Sequence, residues 1–255
     1  MILFRLTLST IKVRKTWVIV FLLAMILPFV LPQLTPWEAN VKLIPPARAQ
    51  TAWGLTWVLG VLWTLSQAAR FGDGNSRTGI GHYLKSRGFS PSRQMFSIWA
   101  SIMLCLLPLV ACAVLVCDLF ARPGNPEEAS HWIVTNFQYA ALYLLTIAPL
   151  ALLAIALGSR FGAMVGYVVP AALCLYGLYG VSYLGMTIRM NSSPVLEWLY
   201  VLSPQYHLAD LTPRLIFKMG DMPSGDFISV TLYFVGIALL LGGVSSALNL
   251  CAPEP

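Results

Sequence analysis

The stretch from Arg70 to Gln94 concentrates the side chains most able to recognise a partner. It carries five basic residues, Arg70, Arg77, Lys85, Arg87 and Arg93, against one acid, Asp73. Ile80, Tyr83 and Leu84 share one face at helical spacing, with His82, Lys85 and Ser86 on the other. Gly88, Ser90 and Pro91 then break this short helix. A basic, amphipathic helix on a loop suits contact with anionic lipid or docking into a groove of another protein. The plainer alternative is a solvated connector that obeys the positive-inside rule. The histidines, His82, His131 and His207, are too scattered for a metal-ligand spacing and read as interfacial polar residues. His207 and Asp210 are the only pair that could seed a polar catalytic set. There is no His-Glu-x-x-His, no Gly-x-Ser-x-Gly and no phosphate-binding Gly-x-x-x-x-Gly-Lys-[Ser/Thr]. We therefore expect a chain that is not an enzyme and holds no cofactor or metal of its own. Cysteines 105, 112, 117, 174 and 251 form no Cys-x-x-Cys, and four lie in apolar runs, which predicts buried free thiols.

The elements that position this stretch are apolar. Of 255 residues, 58% are hydrophobic and 10% charged, which excludes an ordinary soluble domain. The net charge of +6 sits in the gaps between apolar runs, a pattern of membrane orientation rather than of nucleic-acid binding. The expected fold is an all-α integral membrane protein, a single transmembrane domain over residues 1–255. Its six spans fall at about 17–34, 51–69, 96–117, 132–157, 163–186 and 227–250. Residues 1–15, with Arg5, Lys12, Arg14 and Lys15, suggest an N-terminal interfacial helix. Pro28 and Pro32 should kink or end the first span. A cleaved signal peptide is the weaker reading, because Ala47-Arg48-Ala49 lies well beyond the apolar run. Residues 33–50 and 118–131 read as loops, and Gly158–Gly162 as a tight turn. The second span is rich in tryptophan (Trp53, Trp57 and Trp63), and those at its ends would anchor at headgroups. Between spans five and six, Val195–Leu202 and Arg214–Met219 read as short outer-interface helices. Thr212 would cap the second of these, with Pro213 opening it. With the N-terminus in the cytoplasm, the inner segments hold ten basic residues and the outer segments six. That bias favours a multi-pass plasma (inner) membrane protein with both ends inside.

The six apolar runs contain no Asp, Glu, Lys or Arg. Ion-coupled carriers need an ionisable group at depth, and channels need a charged or carbonyl filter. Neither is visible in the spans, so the energy for any transport must come from outside the chain. Gly162 and Gly166 form a Gly-x-x-x-Gly pair, and Gly236, Gly242 and Gly243 add small residues to the last span. These suit close helix packing within the bundle, or alternatively a dimer face. Tyr176, Tyr179 and Tyr183 lie on one stripe of the fifth span and could line a path for an amphiphile or pack in the core.

Two motifs in order carry a resemblance. After the second span stands Tyr83-Leu84-Lys85-Ser86-Arg87-Gly88-Phe89-Ser90-Pro91-Ser92-Arg93, and before the last span stands Leu202-Ser203-Pro204-Gln205-Tyr206-His207-Leu208-Ala209-Asp210. With the six-span plan and a cytoplasmic N-terminal helix, the chain resembles the permease subunit of ABC-2 type ABC transporters. The second motif is similar to the Ser-Pro-x-x-His signature of the branch serving gliding motility and nitrous-oxide-reductase maturation. The family's acidic cluster and Gly-Thr-x-Glu run are replaced here by Asp73 and Thr78-Gly79-Ile80-Gly81. Where the family often has Gly-Lys at the start of span three, this chain has Ala100-Ser101. The resemblance implies a homo- or heterodimer with a second permease subunit, above a separate ABC ATP-binding subunit that carries ATP and Mg. The segment from Ile80 to Arg87 would be the cytoplasmic coupling helix. Ile80, Tyr83 and Leu84 would dock on the ATPase, with Lys85, Arg87 and Arg93 meeting acidic residues or lipid phosphates. It also implies export, with Tyr176, Tyr179 and Tyr183 along the path. Two other readings use the same residues: a non-transporting scaffold that anchors a cytoplasmic partner through the loop, and a lipid-modifying enzyme built on His207 and Asp210.

Overall fold

Among the described residues, 2–34, 44–190 and 193–250 of the computed structural model, every regular element is helical. The long elements are α2 (Thr16–Val30), α3 (Ile44–Arg77), α5 (Pro91–Phe120), α6 (Pro126–Phe161) and α11 (Ser224–Leu250). The helix α1 (Ile2–Arg14) precedes them, and α4 (Ile80–Ser86) sits between α3 and α5. After α6 come α7 (Ala163–Leu175), a π turn (Tyr176–Gly180) and α8 (Val181–Met190) in continuous succession. Then follow α9 (Pro194–Leu202), a 3-10 turn (Tyr206–Ala209) and α10 (Thr212–Ile216).

Five helical stretches are long and apolar enough to cross a membrane: Thr16–Gln33, Pro91–Phe120, Pro126–Phe161, Ala163–Met190 and Ser224–Asn249. The helix α3 falls outside this set, although its 34 residues could span one. Its middle is lowered in hydropathy by Thr, Gln and Trp, and these side chains point into the bundle. Trp53, Trp57 and Trp63 are buried, which corrects the expectation that they anchor at headgroups. The Trp53 indole N–H donates to Asn136 Oδ1 at 2.9 Å, and that of Trp57 donates to the Tyr139 hydroxyl at 2.9 Å. Trp63 donates to Thr16 Oγ1 at 3.3 Å. A buried indole needs such a partner, and α6 and α2 supply it.

The helices outrun the apolar runs. Residues 44–50 and 70–77 are helical parts of α3, and 118–120 and 126–131 belong to α5 and α6, where the sequence suggested loops. Polar ends stay helical because they are capped. Asn125 Oδ1 accepts from the Glu127 amide with Pro126 in the first turn, and Ser90 Oγ accepts from the Arg93 amide with Pro91 in the first turn. The loop of residues 35–43 lies outside the described residues. The turn placed at Gly158–Gly162 contracts to Gly162 alone, at φ 93°, because α6 continues to Phe161. Pro28 does not break α2, whereas Pro32 lies in the 3-10 turn Leu31–Gln33 that ends it.

The helices α3 and α6 form the centre of the bundle. In α6, 72% of the most apolar window is buried, against 6% in α11. Arg48 fastens one end of the bundle: its Nη1 donates to the Phe120 carbonyl at 2.7 Å, and its guanidinium lies over Phe29 at 4.9 Å. Cys105, Cys112, Cys117 and Cys174 are free thiols and the last three are buried, as expected; Cys251 lies outside the described residues.

The segment between α8 and α11 does not rest on the surface throughout. Tyr206 is fully buried and stacks on Phe234, and Tyr176 shares a 2.7 Å hydrogen bond with Ser203 Oγ. A Cβ at Gly177 would lie 2.4 Å from the Tyr206 ring, so the π turn and this segment can meet only over a glycine. Leu211, rather than Thr212, stands at the N-cap of α10, and the Thr212 amide donates to Asp210 Oδ1 at 3.0 Å. The Thr212 hydroxyl pairs with Tyr139 instead, at 2.8 Å.

Candidate functional site: the α4 segment and its clamp

The helix α4 forms where the amphipathic pattern predicts it. Gly79 precedes it in the left-handed region, at φ 72°, and Gly88 ends the turn that follows, at φ 83°. What holds α4 in place is Gln94, a buried residue near the start of α5. Gln94 Nε2 donates to the carbonyls of Gly81, at 3.1 Å, and Phe89, at 3.0 Å. Its Oε1 accepts from Asn75 Nδ2 at 3.0 Å. One side chain therefore joins the last turns of α3, the first turn of α4, the chain after it and α5. A Cβ on Gly81 would lie 2.9 Å from both Asn75 Nδ2 and the Asn75 carbonyl oxygen, so the approach of α4 to α3 depends on that glycine.

The expected docking face divides. Leu84 is turned inward, 7% exposed, and anchors α4 to the body, which corrects its assignment to an outward face. Leu84 turns inward because α4 must bury one apolar residue to hold its place against α3 and α5. Ile80 and Tyr83 remain exposed, at 37% and 59%. The Arg87 guanidinium lies over the Tyr83 ring at 5.4 Å, and Arg93 over Phe89 at 5.2 Å. His82 and Lys85 are exposed on the same short helix. Arg77 pairs with Asp73 one turn earlier, at 2.7 Å, so the one acid of the segment is already engaged. At the same end, Asn249 Nδ2 donates to the Pro91 carbonyl at 3.0 Å, which ties the last turns of α11 to the first of α5. Sequence reasoning treated Gln94 as a boundary residue. A polar residue one turn inside an apolar helix was the available signal.

Gly162 and Gly166 are committed within the chain. A Cβ on Gly166 would lie 2.6 Å from backbone atoms of Gly158, and one on Gly162 would lie 3.1 Å from Arg77 Nη2. Gly166 is thus a packing contact between α7 and α6, whereas the half-buried Gly162 lies beside the end of α3. Gly236, Gly242 and Gly243 face open space. Tyr179 and Tyr183 are exposed at 70% and 74%, and Tyr176 is at the edge of exposure with its hydroxyl on Ser203.

The spans are uncharged, but a carboxylate still enters the bundle. Asp210 accepts a 2.5 Å hydrogen bond from the Tyr139 hydroxyl, about 13 residues into α6, or roughly 20 Å from its start. His207 and Asp210 share only a backbone bond, from the Asp210 amide to the His207 carbonyl at 3.2 Å. Burial pushes the His207 imidazole below its ordinary value, and a backbone hydrogen bond at Gly177 partly offsets this. His131 pairs with Asp221 at 2.5 Å and Lys218 with Glu128 at 2.7 Å, so both links join α6 to the chain before α11. Among the described residues no three His, Cys, Asp or Glu side chains gather in a metal-binding group. Comparison with family models, with curated proteins and with solved structures finds no match for the chain.

Proposed function

We propose that this chain is the six-span permease subunit of an ABC-2 type ABC transporter, an exporter driven by ATP hydrolysis in a separate subunit. In this reading α3 is the remaining crossing, with its polar and indole groups hidden against α6. Both termini and α4 lie on the cytoplasmic side. The observation that carries it is the Gln94 clamp: α4 is exposed to a partner on one face and tied on the other to α3 and α5. A push on Ile80 and Tyr83 would pass into two long helices rather than dissipate in a loop. The exposed tyrosines support a path between two permease chains. Their hydroxyls would be costly against lipid and are tolerable beside water or a polar partner.

Asp210 favours one competing reading, an ion-coupled carrier, since it sets an acid within the bundle. Its carboxylate is satisfied by Tyr139 and Thr212, which suits a lock better than a site that binds and releases a proton. The test is affinity capture from native membranes. An ATP-binding subunit should co-purify with the wild type and be lost, by about tenfold or more, with Tyr83→Asp. Vesicles holding the complex should move substrate only with ATP. Flux by the purified chain without nucleotide would establish the carrier, and binding without movement would establish the scaffold. Labelling of a cysteine at position 82 from the outer side would overturn the topology.

A further inference from the structure

A groove of about 500 Å³ opens between α1, the last turns of α3, α4 and α5. Its apolar lining comes from Leu3, Leu6, Phe71, Ile80 and Ile98, and its basic lining from Arg14 and Arg70. Asp73 also lines it, but that carboxylate is engaged by Arg77. Arg14 and Arg70 are exposed and have no acidic partner among the described residues. Asn75 lines the same groove, and its Oδ1 is buried without a hydrogen-bond donor.

We propose that this groove binds one anionic phospholipid, with its phosphate held by Arg14 and Arg70 and the start of an acyl chain along Leu3, Leu6 and Ile98. The charge complementarity is direct: two unneutralised guanidinium groups border an apolar trough, and Arg holds phosphate through paired donors. Dry oil or a neutral peptide would leave the two cations unanswered. The helix α1 forms one wall and α4 another, so the lipid would wedge the N-terminal helix against the segment proposed to meet the ATPase. The site rests on the inner placement of α4, which labelling at position 82 checks separately.

Native mass spectrometry of the purified chain, titrated with phosphatidylglycerol or phosphatidylcholine, tests the proposal. The wild type should retain phosphatidylglycerol in preference, and Arg14→Gln with Arg70→Gln should weaken that binding about tenfold or more. The charge-matched pair Arg5→Gln with Arg160→Gln, outside the groove, should leave it unchanged. Leu6→Trp, which fills the trough, should weaken it as well. Equal losses in both arginine pairs would reduce the effect to diffuse surface charge and overturn the site. Displacement of the lipid by inorganic phosphate would make it a free-anion site, and retention by Leu6→Trp would exclude an acyl chain in the trough. Circular dichroism of each variant separates lost binding from lost folding.

Discussion

The Tyr139 hydroxyl donates to the Asp210 carboxylate at 2.5 Å, joining α6 to a segment 71 positions later in the chain. The same hydroxyl accepts from the Trp57 indole at 2.9 Å, so three elements meet at one oxygen. Tyr139→Phe removes this junction and leaves an indole and a carboxylate each short of a partner. The expected loss is about 1–3 kcal/mol. Thermal unfolding in detergent, with Asp210→Asn and the double variant, should give a coupling of at least about 0.5 kcal/mol. Strict additivity would mean that the bond contributes nothing of its own.

Gln94→Leu keeps the volume but removes the bonds to Asn75, Gly81 and Phe89. Hydrogen exchange should rise across residues 79–89 while α6 stays protected, and stability should fall by about 1–3 kcal/mol. Unchanged exchange in that window would remove Gln94 from its role as a clamp.

Leu84 and Tyr83 are neighbours with opposite fates. Leu84→Ala opens space inside the fold and should cost about 2 kcal/mol or more. Tyr83→Ala, at an exposed position, should stay within about 0.5 kcal/mol. Comparison of the two melting temperatures checks both values, and a reversed order would refute the inward orientation of Leu84.

Gly177→Ala puts a Cβ 2.4 Å from Tyr206 and 2.6 Å from the Pro204 carbonyl. A backbone oxygen cannot swing aside as a flexible side chain can. The expected cost is about 1–3 kcal/mol, read as a lower melting temperature and higher exchange over residues 203–210.

His207 titrates below its ordinary value of 6.5 in the folded chain because burial disfavours its charged form. Above pH 6.5 it is neutral whether folded or unfolded, and stability does not depend on it. As pH falls below 6.5 the unfolded chain takes up the proton first, so stability is lost until the lowered folded value is passed. His207→Asn should flatten that part of the stability curve between pH 6.5 and more acidic values. Identical curves for wild type and variant would show that the imidazole is not buried as described.

Helix existence was legible because apolar runs and charged gaps carry it locally. Ser90 and Pro91 were legible only as breakers of α4; that they also cap and open α5 emerged from the structure. What escaped was set by pairing across the chain. Trp53 and Trp57 read as interfacial until their partners, Asn136 and Tyr139, are placed some 80 positions away. Asp210 read as part of an outer segment because nothing local says that it reaches a tyrosine inside α6. Leu84 and Tyr83 differ only in which side of α4 meets the body, and a seven-residue helix is too short for periodicity to decide that.

The uneven burial of the long helices has a mechanical outcome. The deeply enclosed α6, 72% buried in its apolar window, is the stator of the molecule, since shifting it would break contacts on nearly every side. The helices α2 and α11 bury far less of their apolar windows, 17% and 6%, and each meets the bundle along one side, α11 mainly against α6 and α2 against α3 and α5. Any rearrangement of this bundle would therefore sacrifice the most packing at α6, which should be the last helix to shift.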